Sequence, residues 1–268
     1  MNPKYIMKAI EYARGGMFVK PELTREIASN ISKDSRILVA FSYEMLPVLN
    51  KMGYKNVTLV VDKPRTSVYN IAKYYGYKTK AIKELKKMKF DVVIGNPPYG
   101  KNSNLAVKFL NEISKYSENI WMVLPRTFRK PSIINRIHKN LHMKKDVEVD
   151  DDTFPGTIIT CYQHWIVNQK ERSKIKTISK HKDFEFVDPK NADVCIGRVG
   201  RNRGGRIWMK KDFGNLSPNS HYFLKVRNKK VITKLKQLRS LFGTASAQTV
   251  ANHSLSKNDL IRIYEESL

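Results

Sequence analysis

Asn96-Pro97-Pro98-Tyr99 places an amide, two prolines and a phenol directly behind an apolar run, Val92 to Ile94. Such a run reads as a buried strand, and the prolines end regular structure after it. The four residues therefore occupy a stiff loop at the carboxyl end of a strand, where open α/β sheets bind ligands. The chemistry that suits them is activation of a planar amino group. The lone pair of such a group is delocalised into its ring, which makes it a poor nucleophile. The Asn96 side-chain oxygen can accept one amino proton and the Pro97 carbonyl the other. Two acceptors aimed at one NH₂ draw it towards tetrahedral geometry and localise the lone pair. Tyr99 offers a face on which a flat base can stack, worth about 1–3 kcal/mol. The competing reading is a Pro-Pro turn that closes a core strand; the preceding Phe90-Asp91 and the apolar run weigh against it.

The elements that must hold this loop follow from the patterning. Residues 1–33 read as helical and cationic, interrupted at Gly15-Gly16 and Pro21, with a helix from Glu22 to Ile31 starting behind Pro21. Strands are expected at Arg36 to Phe41, Val57 to Val61, Lys78 to Ile82, Phe90 to Gly95 and Ile120 to Leu124. Helices are expected between them, at Glu44 to Met52, at Ser67 to Tyr75, and after the loop, where Leu105, Phe109, Ile113 and Tyr116 recur at helical spacing. Ser132 to Leu141 reads as a further helix, and Val147 to Val149 and Ile158 to Val167 as late strands. This alternation predicts an α/β protein with a doubly wound, mostly parallel sheet.

The character changes after about residue 170, so residues 1–170 and 171–268 are expected to be separate domains. The second is a small basic α+β module. It holds an Arg/Gly-rich loop at Gly197 to Arg206, short strands at Arg206 to Met209 and Tyr222 to Val226, and a basic helix at Val231 to Leu241 with Ile232, Leu235 and Leu238 on one face. A capping box, Ser256-Lys257-Asn258-Asp259, opens a final helix. No internal repeat or low-complexity tract is evident.

Charge narrows the partners. The 268 residues include 50 Lys and Arg against 24 Asp and Glu, a formal charge of +26. That excess points to a polyanion, most simply DNA or RNA. No apolar run is long enough to span a bilayer and no lipidation motif is present, so an anionic membrane is disfavoured. Cys161 and Cys195 lie far apart, and no metal-ligand spacing occurs. Two lone cysteines suit a reducing cytosol, and both read as packing residues. Arg198, Arg201, Arg203 and Arg206 are candidates for phosphate contact, against the alternative of a solvated charged loop. No Walker-type Gly-Lys-Ser/Thr is present.

The segment Phe-Asp-Val-Val-Ile-Gly-Asn-Pro-Pro-Tyr at 90–99 resembles the catalytic motif of S-adenosylmethionine-dependent amino-methyltransferases, especially the N6-adenine DNA methyltransferases. Related motifs occur in enzymes that methylate rRNA guanine and release-factor glutamine; the charge disfavours the last. The resemblance implies a Rossmann-like fold, S-adenosyl-L-methionine as cofactor, and Asn96, Pro97, Pro98 and Tyr99 as the catalytic residues. The order of elements resembles the branch with the cofactor-carboxylate motif first and target recognition at the C-terminus. Gly16 to Glu22 resembles that first motif. Phe18, Lys20 and Pro21 would then face the cofactor, although Lys20 replaces the family threonine and reads equally as a surface lysine.

The family's glycine-rich cofactor loop corresponds to Phe41-Ser42-Tyr43-Glu44, which has no glycine and no aspartate. Phe41, Ser42 and Glu44 are its cofactor candidates. Asp62, at the end of a strand, would bond the ribose hydroxyls, or else is a turn residue. Glu84 or Asp91 would cover the adenine amino group, with a structural role favoured for Asp91. Phe154 would pack against an extruded base opposite Tyr99, or else lie in the core. The expected substrate is double-stranded DNA, in the cytoplasm of a bacterium or phage-infected cell, with or without a restriction-endonuclease partner. An RNA methyltransferase with the same pocket is one alternative. A nucleic-acid-binding protein on a degenerate methyltransferase fold is the other, supported by the glycine-free loop.

Overall fold

A computed structural model describes residues 19–61, 66–86, 88–149, 159–200, 204–247 and 253–268. The chain divides into two compact units, Met1–Lys174 and Ile175–Leu268.

The first unit is built on strands β1 (Ile37–Ala40), β2 (Val57–Val61), β3 (Lys78–Ala81), β4 (Val92–Gly95), β5 (Asn119–Pro125), β6 (Leu141–Glu148) and β7 (Thr160–Val167). They form one sheet in the order β3-β2-β1-β4-β5-β7-β6. The first five run parallel, and β7 is antiparallel to both β5 and β6. Every residue of β1, β2 and β4 is buried, as the continuous apolar runs of strands covered on both faces require. The helices are α1 (Pro21–Ser29), α2 (Leu46–Lys51), α3 (Thr66–Tyr74), α4 (Asn104–Ile113) and the single turn α5 (Pro131–Ile134). Alternate strand residues feed opposite cores. Ile37, Val39, Leu59 and Ile94 pack with Ile27 of α1 and Leu46 and Leu49 of α2. Leu38, Val60 and Val93 pack with Ala106, Phe109 and Leu110 of α4. The sheet is therefore the doubly wound α/β arrangement expected.

Several local expectations are corrected. Leu105 is exposed, and the apolar stripe of α4 is carried by Ala106, Phe109, Leu110 and Ile113; Tyr116 lies beyond the helix end. The segment Ser132 to Leu141 is not one helix: α5 ends at Ile134, and Leu141 already pairs with Val167. Val147 and Glu148 are the end of that eight-residue strand rather than a short one. β6 is an edge strand, so half of its residues are exposed, among them the charged Lys144, Lys145 and Glu148 that blunt an edge. Its sequence therefore lacks the alternating apolar pattern of a half-buried strand. The expected helix after β1 starts as a tight turn, Tyr43–Met45, before α2.

The first unit reaches past the boundary expected at 170. The Arg172 amide donates to the Lys139 carbonyl at 2.9 Å, and its guanidinium to the carbonyls of Leu141, Ile134 and Ile137. Residues 171–174 are thus tied to the end of the sheet unit.

The second unit is an antiparallel sheet of β8 (Phe184–Phe186), β9 (Val194–Gly197), β10 (Ile207–Met209) and β11 (His221–Val226), in the order β10-β9-β11-β8. β8 and β9 are too short to show a period and carry no expectation from sequence. Helices α6 (Lys229–Gln237), α7 (Arg239–Ala247) and α8 (Lys257–Glu265) supply Val231, Leu235, Phe242 and Leu260 to a core with Phe184, Val194, Ile196 and Leu224. The expected helix Val231 to Leu241 is two helices meeting at Leu238, and Ile232 is only partly buried. Asn228 caps α6 by accepting the amides of Lys230 and Val231. Ser256 and Asp259 form the expected capping box at α8, at 3.0 and 3.3 Å. Both cysteines are free and buried. Burial pushes each thiol up to about 12, consistent with packing roles. Among the described residues no helix is long and apolar enough to cross a membrane, and no cluster of metal-ligating side chains occurs.

Candidate functional site

The loop 96–103 leaves β4 at the carboxyl end of the parallel strands, beside the end of β1. Ala40 and Gly95 are register partners, and they approach so closely that a Cβ on Gly95 would lie 2.2 Å from the Ala40 carbonyl oxygen. Only glycine fits at that point. The Asn96 amide donates to the Ala40 carbonyl at 3.2 Å and to Ser42 Oγ at 2.7 Å. Ser42 is wholly buried and passes its own hydroxyl proton to the Ala40 carbonyl at 3.2 Å. Asn96 is 5% exposed. Pro97 is buried, Pro98 exposed and Tyr99 half-buried.

Further along, the loop is held by a sequence of unusual backbone conformations. Gly100, Asn102 and Ser103 all have positive φ, which is costly for the two that are not glycine. The Tyr99 carbonyl accepts the amides of Leu105 and Ala106, so it satisfies donors in the first turn of α4. Ser103 Oγ and Thr127 Oγ1 are 2.8 Å apart, which pins the loop to the turn behind β5. The Tyr99 ring packs on the core under α4, and its hydroxyl points to the Val123 carbonyl at 3.5 Å. Ser103 and Thr127 carry no sequence signal as site residues, because their contact spans 24 positions and depends on the sheet.

The glycine-free loop after β1 takes a conformation that glycine would favour. Phe41 has φ 58, in the left-handed region that non-glycine residues rarely adopt. Its ring meets Phe109 of α4 edge-on, with centroids 5.1 Å apart. Glu44 is buried, and its Oε1 accepts the Val19 amide at 3.1 Å. This bond draws the segment Val19-Lys20-Pro21 to the loop after β1. Lys20 is half-buried and is the N-cap of α1, with Pro21 at the first helical position. Three of the sequence-predicted groups therefore converge: Asn96 to Tyr99, Phe41 to Glu44, and Lys20 with Pro21. Of the cofactor candidates, Ser42 and Glu44 are engaged by backbone amides.

The two acidic alternatives serve the fold. Asp91 lies at the other end of β4, where its carboxylate takes the Arg36 amide at 2.7 Å and the guanidinium at 2.9 Å. The hydrogen bonds from Arg36 hold its pKa below the usual carboxylate value. Glu84 is exposed and accepts the Ala81 amide at 2.5 Å, capping its own turn. Phe18, Asp62, Phe154, Arg201 and Arg203 lie outside the described residues.

In the second unit, Arg198 is half-buried against the Tyr222 ring and donates to the Asn219 carbonyl at 3.3 Å. It serves the packing of its own sheet. Arg206 is exposed, its guanidinium 5.3 Å from the Trp208 ring centre.

Residues 22–123 match the family model of the Eco57I restriction-modification methylase. That span holds β1 to β4, most of β5 and the whole 96–103 loop, and the match supports methyl transfer as the reaction class. No curated protein matches the chain. Among solved structures, a candidate RNA methyltransferase from Pyrococcus horikoshii aligns with TM-score 0.41 and 16% identity over 55% of this chain and 81% of its own. A candidate class I S-adenosylmethionine-dependent methyltransferase from Listeria monocytogenes aligns with TM-score 0.47 and 14% identity over 60% and 64%. A candidate tRNA (m1A22) methyltransferase from Streptococcus pneumoniae, in complex with S-adenosyl-L-methionine, aligns with TM-score 0.42 and 13% identity over 58% and 76%.

Proposed function

We propose that this chain methylates N6 of adenine in double-stranded DNA, with S-adenosyl-L-methionine as methyl donor and residues Met1–Lys174 as the catalytic unit. The observation that carries the reading is Asn96-Pro97-Pro98-Tyr99 at the carboxyl end of β4, with the Asn96 amide fixed to both Ala40 and Ser42. The family match over 22–123 supports it, and the charge of +26 favours a polyanionic substrate.

Two features of the backbone support a cofactor site here. Phe41 carries the positive φ that glycine supplies in the family loop, and Gly95 keeps β1 and β4 close at their ends. The loop 41–44 and the segment 19–21 are the elements that would hold it, joined through Glu44. When bound, S-adenosylmethionine supplies an electrophilic methyl group. The protein's own part is to prepare the nucleophile. Asn96 Oδ1 and the Pro97 carbonyl accept the two amino protons, localising the lone pair on N6. Stacking on Tyr99 offsets about 1–3 kcal/mol of the cost of taking the base out of its helix. No general base is required, because the methylated ammonium is acidic and loses its proton to water. The second unit would grip the duplex and read sequence, in the setting of restriction-modification.

The test is mass spectrometry of nucleosides from unmethylated DNA and from structured RNA, each incubated with protein and S-adenosylmethionine. N6-methyladenine in DNA that disappears with Asn96→Ala is the expected result. Modification of RNA alone would make the protein an RNA amino-methyltransferase. No product on either, with DNA still bound, would make it a binding protein.

A further inference from the structure

The second unit contains a surface pocket of about 480 Å³, lined by Gly204, Arg206, Lys236, Gln237, Arg239, Ser240 and Gly243. Three cations from two separate stretches of chain meet there: Arg206 enters β10, while Lys236 and Arg239 flank the break between α6 and α7 at Leu238. Among the described residues no carboxylate lines the pocket, and none of the three forms an ion pair. Like charges gathered at one place repel each other, so the arrangement favours an anion. The remaining lining groups are an amide, a hydroxyl and two glycines, which leave room and supply hydrogen bonds.

The convergence is enforced by close packing of the glycine loop on α7. A Cβ on Gly204 would lie 2.0 Å from Ser246 Oγ, and one on Gly205 would lie 2.6 Å from Phe242 Cβ and 2.9 Å from the Arg239 carbonyl oxygen. Gly205 also has φ +77. Its amide donates to the Gly197 carbonyl at 2.9 Å, and the Gly197 amide to the Arg206 carbonyl at 2.7 Å. The two glycines thus bring Arg206 against α7 in a fixed position. Its guanidinium lies over the Trp208 ring, a contact that restricts the side chain without neutralising it. Arg198, by contrast, is spent on the Asn219 carbonyl and the Tyr222 ring.

We infer that this pocket seats one backbone phosphate of a bound nucleic acid, with Arg206, Lys236 and Arg239 acting together on the same phosphodiester. It anchors the strand and reads no base. The inference rests on nucleic acid being the substrate and is independent of which base is methylated.

The experiment measures binding of a short labelled duplex of random sequence by anisotropy, from about 50 to about 200 mM salt. Arg206→Gln, Lys236→Gln, Arg239→Gln and the triple variant are compared with a charge-matched control, Lys190→Gln/Lys210→Gln/Lys211→Gln, whose residues are exposed elsewhere in the unit. Seating of one phosphate predicts that the triple variant loses about tenfold or more in affinity and that its salt slope falls by about 0.9, the value for one phosphate contact. Each single variant should account for much of that loss, since the three share a ligand. Equal losses in the pocket triple and the control would overturn the inference, as would duplex binding unaffected by the pocket triple. Absence of duplex binding by the wild type, or pocket-dependent binding to anionic vesicles only, would overturn it too. Nucleoside analysis separates the two proposals. Methylation with pocket-independent binding leaves the enzymatic reading standing, and pocket-dependent binding without methylation leaves the anchor standing.

Discussion

Replacing Ser42 by alanine removes one buried hydroxyl and separates two roles that sequence alone assigns to the same residue. The family resemblance places Ser42 beside the cofactor, whereas its bonds place it behind Asn96. Its Oγ accepts the Asn96 backbone amide at 2.7 Å and its hydroxyl donates to the Ala40 carbonyl at 3.2 Å. Loss of a buried partner costs about 1–3 kcal/mol. The Asn96 amide keeps a second acceptor, the Ala40 carbonyl at 3.2 Å, so the cost falls at the lower end, about 1 kcal/mol. For a unit of this size the melting temperature should drop by about 2–4 °C. If the same energy is lost from the transition state, kcat falls about fivefold. Any shift of Asn96 Oδ1 or the Pro97 carbonyl oxygen amplifies that, since reactivity is steep in the placement of acceptors. The assay is steady-state methylation with both substrates varied, paired with calorimetric titration of S-adenosylmethionine. The expected pattern is a reduced kcat with unchanged cofactor affinity. Weakened cofactor binding with kcat retained would refute the positioning argument and return Ser42 to the cofactor face.

Three further outcomes follow from the same geometry. Gly95→Ala should destabilise the first unit by about 2–3 kcal/mol, the cost of a badly overpacked site, because the new Cβ would lie 2.2 Å from the Ala40 carbonyl oxygen; an unchanged melting temperature would contradict it. His164 stacks on Trp121 with centroids 4.0 Å apart and lies 2.7 Å from Asn119 Oδ1. Burial first, then Lys144 and Lys145, lower its pKa. The folded state therefore holds fewer protons than the unfolded one, and the stability from this group is present above the unfolded value and lost as pH falls through the folded value. Wild type should lose more stability than His164→Phe between about pH 7 and pH 5, a window set by the ordinary histidine value near 6.5, and parallel melting curves would count against it. At Phe41 the usual order of alanine and glycine should invert. Both variants lose the ring, and only glycine relieves the positive φ, so Phe41→Gly should be more stable than Phe41→Ala by about 1 kcal/mol. Denaturant titration decides this, and an alanine variant equal to or better than the glycine one would remove the strain argument.

The central parallel strands β1, β2, β4 and β5 were legible because strands covered on both faces leave unbroken apolar runs. β2 at Val57–Val61 coincides with its expected bounds, and β1 and β4 lie inside theirs. β6 was not legible, since an edge strand owes its pairing to β7 and shows only its solvated, lysine-bearing side. The break at Leu238 was equally silent. Val231, Leu235, Leu238 and Phe242 keep a continuous apolar spacing across it, and they bury into one core.

The same distinction applies at the site. Asn96 to Tyr99 announced itself because its chemistry is local, while Ser103 and Thr127, the pair that pins the loop, are joined only by the folded sheet. The loop after β1 shows why a missing motif is weaker evidence than a present one. A glycine motif encodes two demands, a positive φ and room for backbone to approach. Here the first is met by Phe41, whose ring packs edge-on against Phe109, while the close approach at Gly95 is between β1 and β4. Ser42, where the resemblance expects a cofactor contact, joins the ends of β1 and β4. The loop therefore meets the demand for a positive φ without glycine, and the Phe41 pair of variants tests what that conformation costs.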